Sequence, residues 1–280
     1  MKVNKAKDFV SAPSLMLWAL PVLLLFLYVL PFFGVAGWSI TRPEIGLGHY
    51  EQIFTDPSLV AIFLRTLRIC IVTTILTVGT GYVLSYYWVL GSPWQRRLIE
   101  ISIFIPFWIS VLIRAFGWVV ILRTNGIANS FLLGLNFISE PVNMGRNEIA
   151  VIIGMVHFMI PFAVFPLATV MRKIDKKILL AAYGLGAQPI TVFLRIFLPL
   201  SGSGIIAALI MVFVFSLGFF VTPTILGGGR VIMIAESVFV QMFQTANWGL
   251  GAALSVVLLV FVGALTWAFH KVVRIERFVS

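Results

Sequence analysis

Six stretches of about twenty apolar residues dominate this chain, and that is the length a helix needs to cross the hydrocarbon core of a bilayer. They run roughly Ser14–Val35, Val60–Trp88, Ile101–Leu122, Ile149–Met171, Gly204–Leu226 and Leu250–His270. Barrel strands need only about ten residues, alternating in polarity. In lipid every backbone N–H and C=O must be satisfied within its own segment, so each stretch is expected to be a helix. The 280 residues are 60% hydrophobic and 11% charged, with mean hydropathy +1.06. A soluble domain carries about 25% charged residues and could not cover this much apolar surface. The expected fold is therefore all-α and polytopic, with six transmembrane helices.

The basic residues give the orientation, because they collect on the cytoplasmic side. Lys2, Lys5, Lys7, Lys173, Lys176, Lys177 and Lys271 share one side if both termini do, joined by Arg96, Arg97, Arg172, Arg195, Arg274 and Arg277. The other side keeps Arg42, Arg123, Arg146 and Arg230, with the acids Glu44, Glu51, Asp56, Glu140, Glu148 and Glu236. Both termini are thus read as cytoplasmic, with cytoplasmic loops at 89–100 and 172–203 and outer loops at 36–59, 123–148 and 227–249. Arg65 and Arg68 fall near the outer end of the second span and are expected to snorkel to the surface. The net charge of +10 follows from this sidedness and is no sign of nucleic-acid binding. Lysines precede the first span as in a signal peptide, but its apolar core exceeds the usual 7–15 or so residues, so it reads as a retained anchor.

Enzyme chemistry is not in view. No phosphate-binding Gly-x-x-x-x-Gly-Lys-Ser/Thr sequence occurs, and Gly227-Gly228-Gly229-Arg230 reads as an outer turn. His49, His157 and His270 have no metal-ligand spacing, and the single cysteine, Cys70, lies in an apolar run. No catalytic set and no metal site is expected. No Asp or Glu falls in the core of a span, which weighs against an ion-coupled secondary carrier, since such carriers hold their coupling ion at membrane depth. That carrier and a non-transporting membrane scaffold remain as rival classes.

The most informative segment is the cytoplasmic stretch 172–203. Ile174 to Ala187 is expected to form a helix, with Ala181, Ala182, Gly184 and Gly186 leaving a face of little bulk and Tyr183 and Leu185 projecting. A second short helix is expected from Pro189, which suits a first helical turn, to Phe197, before Pro199 breaks the chain. Ala181-Ala182, then Gly186, then nine residues, then Ile196-Phe197-Leu198-Pro199 resembles the EAA loop of ABC importer permeases. That pattern is Glu-Ala-Ala, three residues, Gly, nine residues, Ile, one residue, Leu-Pro. The family's glutamate is Leu180 here, which removes the charged contact that opens the loop. The resemblance runs on through Thr66-Leu67 to Gly81-Tyr82. The segments 105–129 and 218–229, and Gln241 through Trp248-Gly249, are similar to spermidine/putrescine-type permeases. Members of that group also move opines, aminophosphonates and other small organic solutes.

The resemblance implies a type I ABC importer (MetI-like) permease fold in the bacterial inner membrane. It divides the chain into an N-terminal tail, first helix and outer loop (1–59), a permease domain (60–270) and a cytoplasmic tail (271–280). It implies a second permease as a homologous partner, two copies of an ATPase subunit, a periplasmic solute-binding protein and surrounding lipid, with no nucleic acid. ATP and magnesium then belong to the ATPase, and this chain holds no cofactor and catalyses nothing itself. Ala181, Ala182, Tyr183, Gly184, Leu185 and Gly186, with Ile196, Leu198 and Pro199, are the implied ATPase-coupling residues. The bland alternative for this loop is an amphipathic helix lying at the lipid interface.

Within the spans, Arg114 is the sharpest polar feature. A central arginine costs about 2.5–3.5 kcal/mol on insertion scales, so it is expected to face protein or water, either pinning a neighbouring helix or lining the translocation path. Phe107, Trp108, Phe116, Trp118, Phe219 and Phe220, with Thr222, are further candidates for the path, because aromatic faces attract organic cations. With 25 phenylalanines in the chain, ordinary helix packing and interfacial anchoring are the plainer account of such residues. His157 is expected to be a hydrogen-bonded packing residue, and Pro161 and Pro166 to kink the fourth span.

Overall fold

The computed structural model describes the backbone of residues 8–279 and the side chains of residues 18–269 and 271. Lys2, Lys5, Lys7 and the side chains of His270, Arg274 and Arg277 lie outside the described residues. Regular structure among the described residues is helical throughout: α1 (Asp8–Thr41), α2 (Gly48–Thr55), α3 (Pro57–Leu90), α4 (Pro93–Trp108), α5 (Val111–Leu122), α6 (Ile127–Gly134) and α7 (Glu148–Met171). Then come α8 (Lys176–Gly184), α9 (Pro189–Val192), a π-helical turn (Phe193–Phe197), α10 (Leu198–Leu200), α11 (Gly202–Leu217), α12 (Val221–Gly227) and α13 (Ile234–Phe239). A second π-helical turn (Val240–Gln244) leads into α14 (Trp248–Val279). Five segments are long and apolar enough to cross a membrane: Trp18–Thr41, Pro57–Leu90, Val111–Gly134, Glu148–Met171 and Trp248–Phe269. The pair Pro189–Leu200 and Gly202–Leu217, bent by 61°, makes six if counted as one broken span.

Three expectations need correction. The third span is not one helix over Ile101–Leu122, because α4 ends at Trp108 and α5 starts at Val111. Pro106 has no N–H to give, and the Ile109 N–H turns back to the Pro106 carbonyl (3.2 Å), closing the helix there. The fifth span likewise stops at Leu217 and resumes as α12, with Gly218, Phe219 and Phe220 between. The break expected at Pro199 falls two residues later: the helical run continues from the π-helical turn through Pro199 to Leu200 and bends by 61° at Ser201. Pro161 and Pro166 lie inside α7, which is one continuous helix.

Residues group into two compact units. The larger takes in Asp56–Ser237 and the described residues from Leu258 onward and is built on α3, α7 and α11, which pack on one another. Thr66, Cys70, Thr73, Thr77, Gly81 and Ser85 recur every third or fourth residue on the buried side of α3. Small residues matter here because lipid gives apolar helices no preference for each other, so attraction depends on close backbone approach. A Cβ on Gly81 would lie 2.9 Å from the Ala163 Cβ, and one on Gly154 would collide with the Leu226 side chain, so at either position a larger residue forces its neighbour to shift. In the smaller unit, the described residues up to Thr55 with Val238–Val257, Trp38 meets Trp248 edge-on at 5.6 Å. There Arg42 caps the Trp38 ring at 5.0 Å.

Candidate functional site

Helix α8 begins where the Asp175 carboxylate accepts the Lys177 N–H (2.9 Å), and it is shorter than the expected Ile174–Ala187. It ends because Gly186 takes φ +81°, a left-handed turn that residues with a Cβ avoid. There Ala187 N–H reaches back to the Ala182 carbonyl (3.1 Å) and Gly186 N–H to Tyr183 (2.9 Å), so the helix end is satisfied. No residue of α8 is buried. Leu185 is 89% exposed and Leu180 66% exposed, and open space surrounds Gly184 and Gly186.

The base of this loop is fixed firmly. Phe197 is buried and meets Tyr86 of α3 edge-on at 5.2 Å, with Phe193 5.7 Å from the same ring. Tyr82 and Ser201 share a hydroxyl hydrogen bond of 2.9 Å across the bend. The π-helical turn fits this anchoring: the Leu198 N–H bonds to the Phe193 carbonyl five residues back, and Pro199, next in line, offers no N–H. Ile196 and Leu198 are partly buried here and Pro199 is exposed, so they belong to the base while Ala181 to Gly186 form the free end. A cavity of about 320 Å³ lies between base and helix, lined by Tyr86, Leu180, Tyr183 and Phe193 among others.

Toward the middle of the spans, an aromatic ladder climbs α7. Phe219 packs on Phe158 (4.5 Å), Phe158 stacks near Phe162 (5.9 Å), and Phe162 meets Phe215 (4.9 Å) and Phe107 (6.2 Å). The Arg114 guanidinium lies over the Phe158 ring at 4.6 Å. Its Nη2 donates to the Ile109 carbonyl (3.4 Å), an acceptor left free by the break between α4 and α5, while its Nε is buried without a partner. Trp118 donates its indole N–H to His157 Nδ1 (3.0 Å). His157 is therefore a hydrogen-bonded packing residue, as its isolation in the sequence suggested. Arg65 and Arg68 do not merely snorkel. Arg68 Nη2 bridges both oxygens of Glu148 (2.5 and 2.6 Å), with Arg65 Nε 3.6 Å away.

Residues 78–274 match the family of binding-protein-dependent transport system inner membrane components. The chain belongs to that family. It is 31% identical over 237 residues to the spermidine/putrescine transport system permease protein PotB of Escherichia coli (strain K12), covering 85% of this chain and 86% of that protein. The PotB of Haemophilus influenzae (strain ATCC 51907 / DSM 11121 / KW20 / Rd) is 31% identical over 227 residues, 81% of this chain and 79% of that one. Among solved structures, a chain of the bacterial alginate ABC transporter in complex with an alginate pentasaccharide-bound periplasmic protein superposes with TM-score 0.77. The identity is 18% and the overlap covers 98% of each chain, which shows the fold. The protein is thus a multi-pass inner-membrane permease component of an ABC importer, with the MetI-like all-α fold.

On this permease, the structure brings Phe107, Arg114 and Phe219 to one ladder and places Trp118 beside it on His157. Trp108, 83% exposed, touches only Phe107 among the rings of the described residues. Phe116 is exposed on α5. Phe220 sits between α11 and α12, where its carbonyl accepts the Thr224 hydroxyl (2.9 Å). Thr222 is buried, its methyl set against Gly154. Sequence reading missed Phe158, Phe162 and Phe215. Phe158, Phe162 and Phe165 do form a helical stripe in the sequence, but phenylalanine is too common here for that stripe to stand out.

Proposed function

We propose that this permease component pairs with a second, homologous permease. Two copies of an ATPase subunit and a periplasmic binding protein complete the importer, and its solute is a polyamine or a similar small organic molecule. The ATPase subunits hold ATP and magnesium. Loop 172–203 is the coupling element, with Ala181 to Gly186 meeting the ATPase. The observation that carries this is α8 itself: a helix capped at both ends, anchored at its base and with no buried residue. Leucines as exposed as Leu180 and Leu185 are each stabilised by about 1.5–3 kcal/mol when a partner covers them. With Leu180 where relatives of the resemblance carry glutamate, the contact is read as apolar. The names of the two PotB relatives support a polyamine. The ladder of Phe107 and Phe219, with Trp118 alongside, is the wall proposed for the translocation path; Arg114 lies over the Phe158 ring of that ladder and, being a cation, makes no direct contact with a polyamine. Two-state coupling between the path and the ATPase requires each ligand to prefer one state.

The test is extraction of the chain from its native membrane in mild detergent, with mass spectrometry of what accompanies it. Co-purification of an ATPase with a nucleotide-binding motif and of a second six-span protein is expected. Recovery of the chain alone in a monodisperse state would overturn the reading in favour of a secondary carrier. For the path, Arg114→Ala is expected to lower uptake with membrane abundance unchanged; a parallel loss of abundance would make Arg114 a structural pin.

A further inference from the structure

Three arginines far apart in sequence meet at the outer end of the larger unit. Arg123, Arg146 and Arg230 line a cavity of about 960 Å³, together with Asn125 and Asn143 and an apolar wall that includes Phe116. No acid lines this cavity, and among the described residues none of the three guanidiniums is ion-paired. Membrane proteins keep basic residues mainly inside, so their convergence on the outer side calls for a cause. Helix ends supply part of one: Arg123 caps the C-terminus of α5 and Arg230 follows that of α12, where cations are favoured. Arg146 has no such reason. It precedes the N-terminus of α7, where a cation is disfavoured, and it sits in a left-handed conformation at φ +55°. Gly228, itself at φ +54°, lies beneath its stem: a Cβ there would stand 3.0 Å from Arg146 Cγ and 3.1 Å from Cδ. One strained backbone position, that of Arg146 itself, and a glycine beneath its stem that tolerates φ > 0 without cost thus hold Arg146 against the cavity.

We propose that this cavity is an oxyanion site for a small organic anion with a carboxylate or phosphonate head and an apolar body. The three guanidiniums can only donate, in forked pairs that suit oxyanions. A concave wall concentrates their field, and the volume is that of a small-molecule pocket. A polyamine, with cationic donors at both ends, is repelled. The site is therefore no stopping point for a polyamine, and it stands on the cavity alone, whatever solute the importer carries.

The test uses the full chain in phosphatidylcholine nanodiscs, without ATP or partners, so that its failure leaves the importer reading untouched. Phenylphosphonate and glutarate are titrated, with putrescine as the cationic control. Both anions are expected to bind, to weaken as sodium chloride rises from about 50 to 500 mM, and to lose roughly tenfold or more in affinity in the R123Q/R146Q/R230Q variant. Arg146→Lys, which keeps the charge and loses the fork, is expected to fall between. Absence of anion binding, unchanged binding in the triple variant, or equal binding of putrescine overturns the proposal. If the free anions fail and the same variant instead loses capture of the binding protein, the arginines receive carboxylates of a docked protein, which also overturns the small-ligand site.

Discussion

The cytoplasmic loop and the outer cavity are both unfinished surfaces, but they are unfinished in different ways. On the loop, α8 exposes apolar side chains and leaves open space around its glycines, so what it lacks is a covering shape. At the outer end, three arginines stand without acids, while Glu236 is buried with one carboxylate oxygen unpartnered, so what that end lacks is counter-charge. Apolar exposure is relieved by burial over an area, whereas charge is relieved by a few directed bonds. A loop of the first kind suits force transfer to another protein, and a cavity of the second kind suits recognition.

The largest effect is expected at the loop. Gly186→Trp should leave the chain in the membrane and lower ATP-driven uptake at least about tenfold, because it puts bulk into the open face and a Cβ at φ +81°, which costs about 1–2 kcal/mol by itself. Gly186→Ala carries the backbone cost without the bulk. Uptake assays with immunoblotted membranes separate the two: equal losses in both variants would make strain the cause, and normal uptake in Gly186→Trp would remove the shape argument.

Next in size is Gly154→Leu. Its side chain would collide with Leu226 and meet the Thr222 methyl, so α12 must shift. Overpacking of this kind costs about 1–3 kcal/mol. Because Gly228 and Arg230 follow α12 directly, the variant should lower the melting temperature and weaken phenylphosphonate binding without altering any arginine. Unchanged anion binding at a lowered melting temperature would separate the cavity from the helix beneath it.

The same contrast explains what was legible in the sequence. The loop is contiguous, and Ala181, Ala182, Gly186 and the Ile196–Pro199 run keep their spacing in the chain itself, so a linear reading finds them. The six spans were visible because length and hydropathy suffice. Their breaks were not, because Pro106 and Gly218 act through individual backbone hydrogen bonds, and Pro161 and Pro166 are tolerated inside α7. The pairing of Arg68 with Glu148 and the meeting of Arg123, Arg146 and Arg230 depend on which helix ends lie side by side. Nothing in the spacing of residues 123, 146 and 230 encodes that.

A smaller effect tests the outer end through pH. Burial raises the pKa of Glu236 above the ordinary carboxylate range. An acid whose folded-state pKa is raised contributes stability below its unfolded pKa and loses that contribution as pH rises through the folded one. Glu236→Gln should therefore leave the melting temperature unchanged near pH 4 and raise it near pH 8. An unchanged pH profile would mean that the carboxylate finds a partner at neutral pH.

The smallest effect is expected for Arg68→Gln. Its bond to Glu148 has good geometry, but the Arg68 side chain is 64% exposed and that of Glu148 33% exposed, and water screens such pairs to about 0–1 kcal/mol. Arg65 stands 3.6 Å from the same carboxylate and remains to hold it, and Glu148 also sits in the first turn of α7, where an anion is favoured without any partner. Thermal unfolding in nanodiscs should shift by no more than about 1 kcal/mol and should shift less in high salt. A loss of several kcal/mol, insensitive to salt, would place this pair in the low dielectric of the headgroup boundary. The neighbouring cavity at the start of α7 would then lie at membrane depth, its three arginines would be far costlier to leave unpaired, and an anion bound there would be held much more tightly than the contrast with the loop now requires.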